Sequence, residues 1–223
     1  MSLDTKTILK KGTERFKSLS ITALAFIFVG WLLYDLGWYN IFGGGPESLV
    51  VGDNVLAGLL FLTGGTLILA TCGAIVRQYR SDTTFLDALS YEGPKKTFYS
   101  FLAFGLAASI YLVITLYFEV SDLLVYLLVV LPVLAGTYQF HKLRENAAKN
   151  KEWIVPKVRR NREELKPVAL RFLGLLALTG FFISFAVLLV ADPLTRFLVE
   201  NGLYTVLTVW GMYVVVEVLD QLD

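Results

Sequence analysis

The sequence predicts an all-α integral membrane protein: a bundle of six transmembrane helices with both termini cytoplasmic and short amphipathic interfacial helices. Three observations lead there. The 223-residue chain is 56% apolar, with a mean hydropathy of +0.62, whereas soluble domains sit at roughly 45–50% apolar. Six apolar runs, at about 19–39, 54–76, 98–118, 123–140, 168–191 and 202–219, are each of a length to cross a hydrocarbon core that takes about 20 helical residues. Every Lys and Arg except Arg196 lies ahead of the first run or beside the stretches that join alternate runs. Basic residues are retained on the cytoplasmic side during insertion, so these blocks orient all six spans by alternation.

Taken in order, residues 4–18, DTKTILKKGTERFKS, place Ile8, Leu9 and Phe16 at helical spacing among five basic residues. A surface helix on the inner leaflet is the expectation, weakened by Gly12. The first run is too long for a signal-peptide core of roughly 7–15 residues and is read as a retained span. It ends in Trp31, Tyr34, Trp38 and Tyr39, rings that favour the membrane–water interface, so Asp35 is placed near the outer headgroups. The following IFGGGPES is a loop. Span 2 carries Thr63, Gly64, Gly65 and Thr66 at its centre, where small residues let a neighbouring helix approach. After it, a surface helix over 82–90 is expected, with Phe85, Leu86 and Leu89 on one face and Gly93-Pro94 ending it.

Spans 3 and 4 are separated only by Glu119, Val120, Ser121 and Asp122 and must form a tight antiparallel hairpin. Pro132 removes one backbone donor from span 4, which predicts a kink rather than a break. The basic cytoplasmic loop 141–167 follows, HKLRENAAKNKEWIVPKVRRNREELK with the next proline. Its first ten residues can continue span 4 as a helix, and Pro156 and Pro167 suit helix first turns. Asp192-Pro193 is read as the turn between spans 5 and 6. Charged and aromatic residues recur at the ends of the three hairpins, but the span interiors do not align, and a single polytopic domain over 1–223 is expected rather than a true repeat.

Several chemistries are excluded or lack their residues. His141 is the only histidine and Cys72 the only cysteine, which rules out bis-histidine haem, a histidine-rich zinc site and an internal disulfide. No nucleotide-binding, zinc-protease or nucleophile-elbow motif is present. The span midpoints hold Gly30, Gly65, Ser109, Pro132, Gly180 and Gly211, none ionisable, which argues against a proton relay or an ion-coupled carrier with an acid at mid-bilayer. No catalytic residue, cofactor or metal ligand is assigned, and no nucleic-acid partner is expected.

Two sets of residues remain as contact candidates. Lys157, Arg159, Arg160 and Arg162 form the densest basic cluster, a topology determinant that can also meet anionic lipid headgroups or an acidic partner. Gly65, Gly105, Ser109, Gly180 and Ser184 are the candidate helix-packing positions, within the bundle or against a membrane-protein partner. Together these readings give a non-catalytic integral protein of the plasma membrane, an accessory or scaffold subunit of a membrane complex. The alternative is a small-solute transport or channel component that binds an uncharged or apolar substrate within the bundle.

Overall fold

The computed structural model describes residues 19–42, 53–118 and 120–222. The expected surface helix at 4–18, residues 43–48 of the glycine-rich loop, Glu119 and Asp223 lie outside the described residues. Within them the chain is all-helical: α1 (Ile21–Phe42), α2 (Asn54–Ser81), α3 (Phe85–Leu89), α4 (Glu92–Tyr117), α5 (Asp122–Arg160), α6 (Arg162–Leu189) and α7 (Pro193–Leu222). All but α3 are long and apolar enough to cross a membrane.

Local chemistry sets the helix ends. Asp53 caps α2 by accepting from the Val55 N–H at 2.8 Å, and Asp82 closes that helix in the left-handed region at φ 49°. Thr84 caps the single turn α3, accepting from the Asp87 N–H at 3.2 Å. This turn is shorter than expected and buries Phe85 and Ala88, leaving Leu86 66% exposed. Gly93-Pro94 does not end it. Both residues sit in the first turn of α4, where a proline's missing N–H has no intrahelical partner to lose. Asp192 caps α7, accepting from the Thr195 N–H at 2.7 Å, with Pro193 as the first helical residue. The helix that carries span 6 therefore starts nine residues before Gly202, where the apolar run begins.

The basic stretch is also more regular than a loop. Helix α5 runs unbroken through Pro132 and Pro156 to Arg160, and only Asn161 separates it from α6. At about 1.5 Å per residue, 39 residues make a rod of about 58 Å, far longer than a bilayer core.

The long helices pack as a row, α6–α7–α1–α2–α4–α5, curled so that α7 also touches α2. Helices α5 and α6, consecutive in sequence, stand at opposite ends of that row and scarcely meet beyond their connecting turn. The basic continuation of α5 accordingly reaches across one end of the bundle. Lys157 Nζ donates to the Leu222 carbonyl at the end of α7, at 3.0 Å, and lies 3.9 Å above the Trp153 ring.

Two apolar clusters fill the interior. Near the basic end, Leu19, Ala23 and Ile27 pack with Ala74, Ile75, Phe85, Ala88 and Val209. The other joins Leu56 and Leu59 of α2 to Phe104, Ala107, Ala108 and Tyr111 of α4 and to Val125 and Val129 of α5. Helices α1 and α2 approach to backbone contact. A Cβ at Gly64 would collide with the Tyr34 nitrogen and the Gly30 carbonyl, and one at Gly37 with Phe61 N and the Ala57 carbonyl. Helix α6 is the opposite case: beyond Val168 no residue of its apolar stretch is buried inside the chain.

Candidate functional site

The strongest concentration of buried polar chemistry lies between α1 and α7. These helices run antiparallel, since Trp31 meets Thr208, Asp35 meets Asn201 and Tyr39 meets Glu200. On α7 the buried stripe Phe197, Glu200, Asn201, Thr205, Val209, Tyr213 and Val216 follows the three-to-four-residue spacing of one helix face. Phe197, Glu200 and Asn201 join that face because the helix begins at Pro193. Asp35 and Glu200 each stand about seven residues, or about 10 Å, from the end of their helix that is remote from the basic segments.

Asp35 and Glu200 are both 6% exposed, and Asn201 is fully buried. Asn201 Nδ2 donates to Asp35 Oδ2 at 3.1 Å and to the Phe197 carbonyl at 2.8 Å. Tyr39 Oη donates to Glu200 Oε2 at 3.2 Å. Next to this, Trp31 Nε1 donates to Thr208 Oγ1 at 2.7 Å, and its ring lies 5.0 Å from that of Tyr204. Neither carboxylate forms an ion pair with a described Lys or Arg. The nearest base in sequence, Arg196, directs its guanidinium to the Val190 carbonyl, with contacts of 3.1 and 2.8 Å. Buried carboxylates without a cationic partner are costly and recur where ions or protons are handled.

Sequence reasoning located Asp35 but read it as an interfacial residue, and it left Glu200 and Asn201 in a loop before span 6. The available signal was Asp192-Pro193, an N-cap followed by a first-turn proline. Read as a helix start rather than a turn, it places Glu200 and Asn201 two turns inside.

The packing candidates divide. Gly65 faces the Tyr34 ring, 3.6 Å from where a Cβ would stand, while the backbone contact falls on its neighbour Gly64. Gly105 faces Thr63, and with Ser109 it lines a groove of about 610 Å³ between α1, α2 and α4, open to the side and walled chiefly by Leu and Phe. Gly180 has no atom within 4 Å of a Cβ position, and Ser184 is exposed with its hydroxyl bonded to the Gly180 carbonyl at 2.9 Å.

Arg159, Arg160 and Arg162 are exposed at the turn between α5 and α6, and no hydrogen bond or ion pair within the described residues engages them. Lys157 is instead drawn toward α7. Among the described residues no three His, Cys, Asp or Glu side chains converge on one point. No protein-family model, curated protein or solved structure matches the chain.

Proposed function

We propose that this chain is a non-catalytic, multi-pass protein of the plasma membrane that serves as an accessory or scaffold subunit of a membrane complex. The basic end and both termini face the cytoplasm, on the strength of the Lys and Arg distribution. The observation that carries the subunit role is α6. Its apolar length rests on α7 along one face only and has most of its surface exposed, and Gly174 and Gly180 leave its backbone open to close approach. Small residues on an open transmembrane face permit the van der Waals contact that drives helix association in lipid.

Affinity purification in mild detergent tests the role. A membrane protein is expected to copurify in fixed ratio with the wild-type chain and to be lost from the Gly180→Leu, Ser184→Leu variant, whose own thermal stability is unchanged. A chain that purifies alone, or a partner retained by the variant, counts against it. Orientation is checked separately with single cysteines at Ala191 and Asn150 in a Cys72→Ala background, which should label with an impermeant thiol reagent from outside and inside respectively.

The second reading, a small-solute transport or channel component, draws on the lateral groove. Thr63, Gly105 and Ser109 give it a few weakly polar positions within otherwise apolar walls, suited to an uncharged or apolar solute. Solute flux in reconstituted vesicles that is lost on Gly105→Leu would favour it over the subunit role.

A further inference from the structure

We infer that the cluster formed by Asp35, Glu200 and Asn201 binds a hard metal cation held by oxygen ligands. The inference rests on the reading of the chain as a membrane bundle but not on the accessory role, so failure of the copurification experiment would leave it standing.

Two carboxylates are buried between α1 and α7, and among the described residues no Lys or Arg forms an ion pair with either. Tyr39 supplies one hydroxyl donor to Glu200, and Asn201 supplies one amide donor to Asp35. These polarise the carboxylates without neutralising them. Independently of the acids, Asn201 Oδ1 is buried and accepts no hydrogen bond. Its amide nitrogen is bonded to Asp35, so by the size of the group the oxygen lies within a few ångströms of that carboxylate. Exchanging the amide's two ends would set its oxygen against the Asp35 and Phe197 oxygens, acceptor against acceptor. In the observed orientation, an orphan carbonyl-type oxygen lies beside the Asp35 carboxylate, with buried Glu200 the preceding residue on α7. A buried acceptor left without a donor keeps its full desolvation penalty. Carboxylate and amide oxygens are the ligand set preferred by hard cations. A single cation satisfies the orphan oxygen and the uncompensated charge together. The half-buried Tyr39, one turn nearer the helix end, marks the side from which it would enter.

The test uses the full chain in detergent. Thermal unfolding is followed at constant ionic strength in choline chloride with NaCl or CaCl2 replacing it stepwise. A cation that binds only the folded protein raises Tm saturably, and such a rise with either salt is the expected result. A rise with NaCl identifies a monovalent occupant, and one confined to CaCl2 a divalent occupant. Asp35→Asn and Glu200→Gln keep the side-chain shapes and are expected to abolish the rise, each variant being compared with itself across salts so that a lower starting Tm does not matter. If neither variant folds, the wild-type titration decides alone. A wild-type Tm equal in all three salts overturns the inference, as does an unchanged rise in both variants. So does a Tm that responds to pH and to neither cation, because a shared proton would then be the occupant.

Discussion

One methyl group at Gly64 measures how closely α1 and α2 are drawn together. Its Cβ would enter the Tyr34 and Gly30 backbone, which cannot step aside as a flexible side chain could. Gly64→Ala and Gly37→Ala are expected to cost about 1–3 kcal/mol each, whereas Gly65→Ala and Gly180→Ala should be neutral or slightly stabilising, since Ala is the better helix former. Unfolding in detergent reads the difference, and four equal stabilities would show that the helices do not cross on these glycines. The Thr-Gly-Gly-Thr run pointed to a crossing in the sequence, but its phase could not be read there. In a helix apolar on every side, no polar face marks which glycine looks inward. Asp192 offers a second single-residue test. Hydrogen bonds from the Thr195 hydroxyl and backbone N–H hold its carboxyl below the ordinary value of 3.8. A lowered folded pKa means the stabilisation is present above the unfolded value and is lost as pH falls through the folded one. Wild type should therefore shed this contribution below about pH 4, while Asp192→Asn, which still caps, should lack that part of the acid limb. Superimposable acid limbs would remove the cap's charge from the account.

At the scale of elements, hydropathy located all six apolar helices, but the helices run beyond the apolar runs that marked them. It reports the lipid-compatible stretch, but a helix continues beyond that stretch as long as its backbone groups find partners. Helix α7 extends back to Pro193 because Asp192 caps it. Helix α5 extends forward to Arg160 because residues such as Leu143, Arg144, Glu145, Ala147 and Ala148 have no reason to leave the helical state. The candidate site depended on the first of these extensions, so it was legible in part: Asp35 was visible, while Glu200 and Asn201 required the cap to be read as a start. The contact between α1 and α7 can be tested away from the acids, at the Trp31–Thr208 hydrogen bond of 2.7 Å. Thr208→Val keeps shape and removes the acceptor. Interhelical hydrogen bonds in membrane proteins average about 0.6 kcal/mol and reach about 1.7, so a loss in that range is expected by reversible unfolding in mixed micelles. A variant as stable as wild type would show that apolar packing alone joins these helices.

For the whole molecule, the row of helices has two ends, and one continuous basic rod connects them. The α5 extension passes from the α4 side of the bundle to the end of α7, where Lys157 is tied to the Leu222 carbonyl. This leaves Arg159, Arg160 and Arg162 exposed at the α5–α6 turn, with Trp153 and Val158 exposed on the preceding turns of α5. Charge that only fixes orientation is needed during insertion and has little to do afterwards. Charge that meets lipid acts in the folded protein, contributing on the order of 1 kcal/mol per basic group near an anionic leaflet. Changing the three arginines to Gln separates the two roles, because Lys142, Arg144, Lys149, Lys151, Lys157 and Lys166 remain to hold the segment inside. Orientation is therefore expected to survive. In native mass spectrometry after reconstitution with mixed anionic and neutral lipids, wild type should retain anionic lipid preferentially. Raising the salt should weaken that retention, since exposed charges are screened over about 8–10 Å at moderate ionic strength. The variant should retain both lipids alike. If the two proteins hold equal amounts of anionic lipid at every salt concentration, the arginines serve topology alone, and the exposed turn is left to contact solvent or an acidic protein surface.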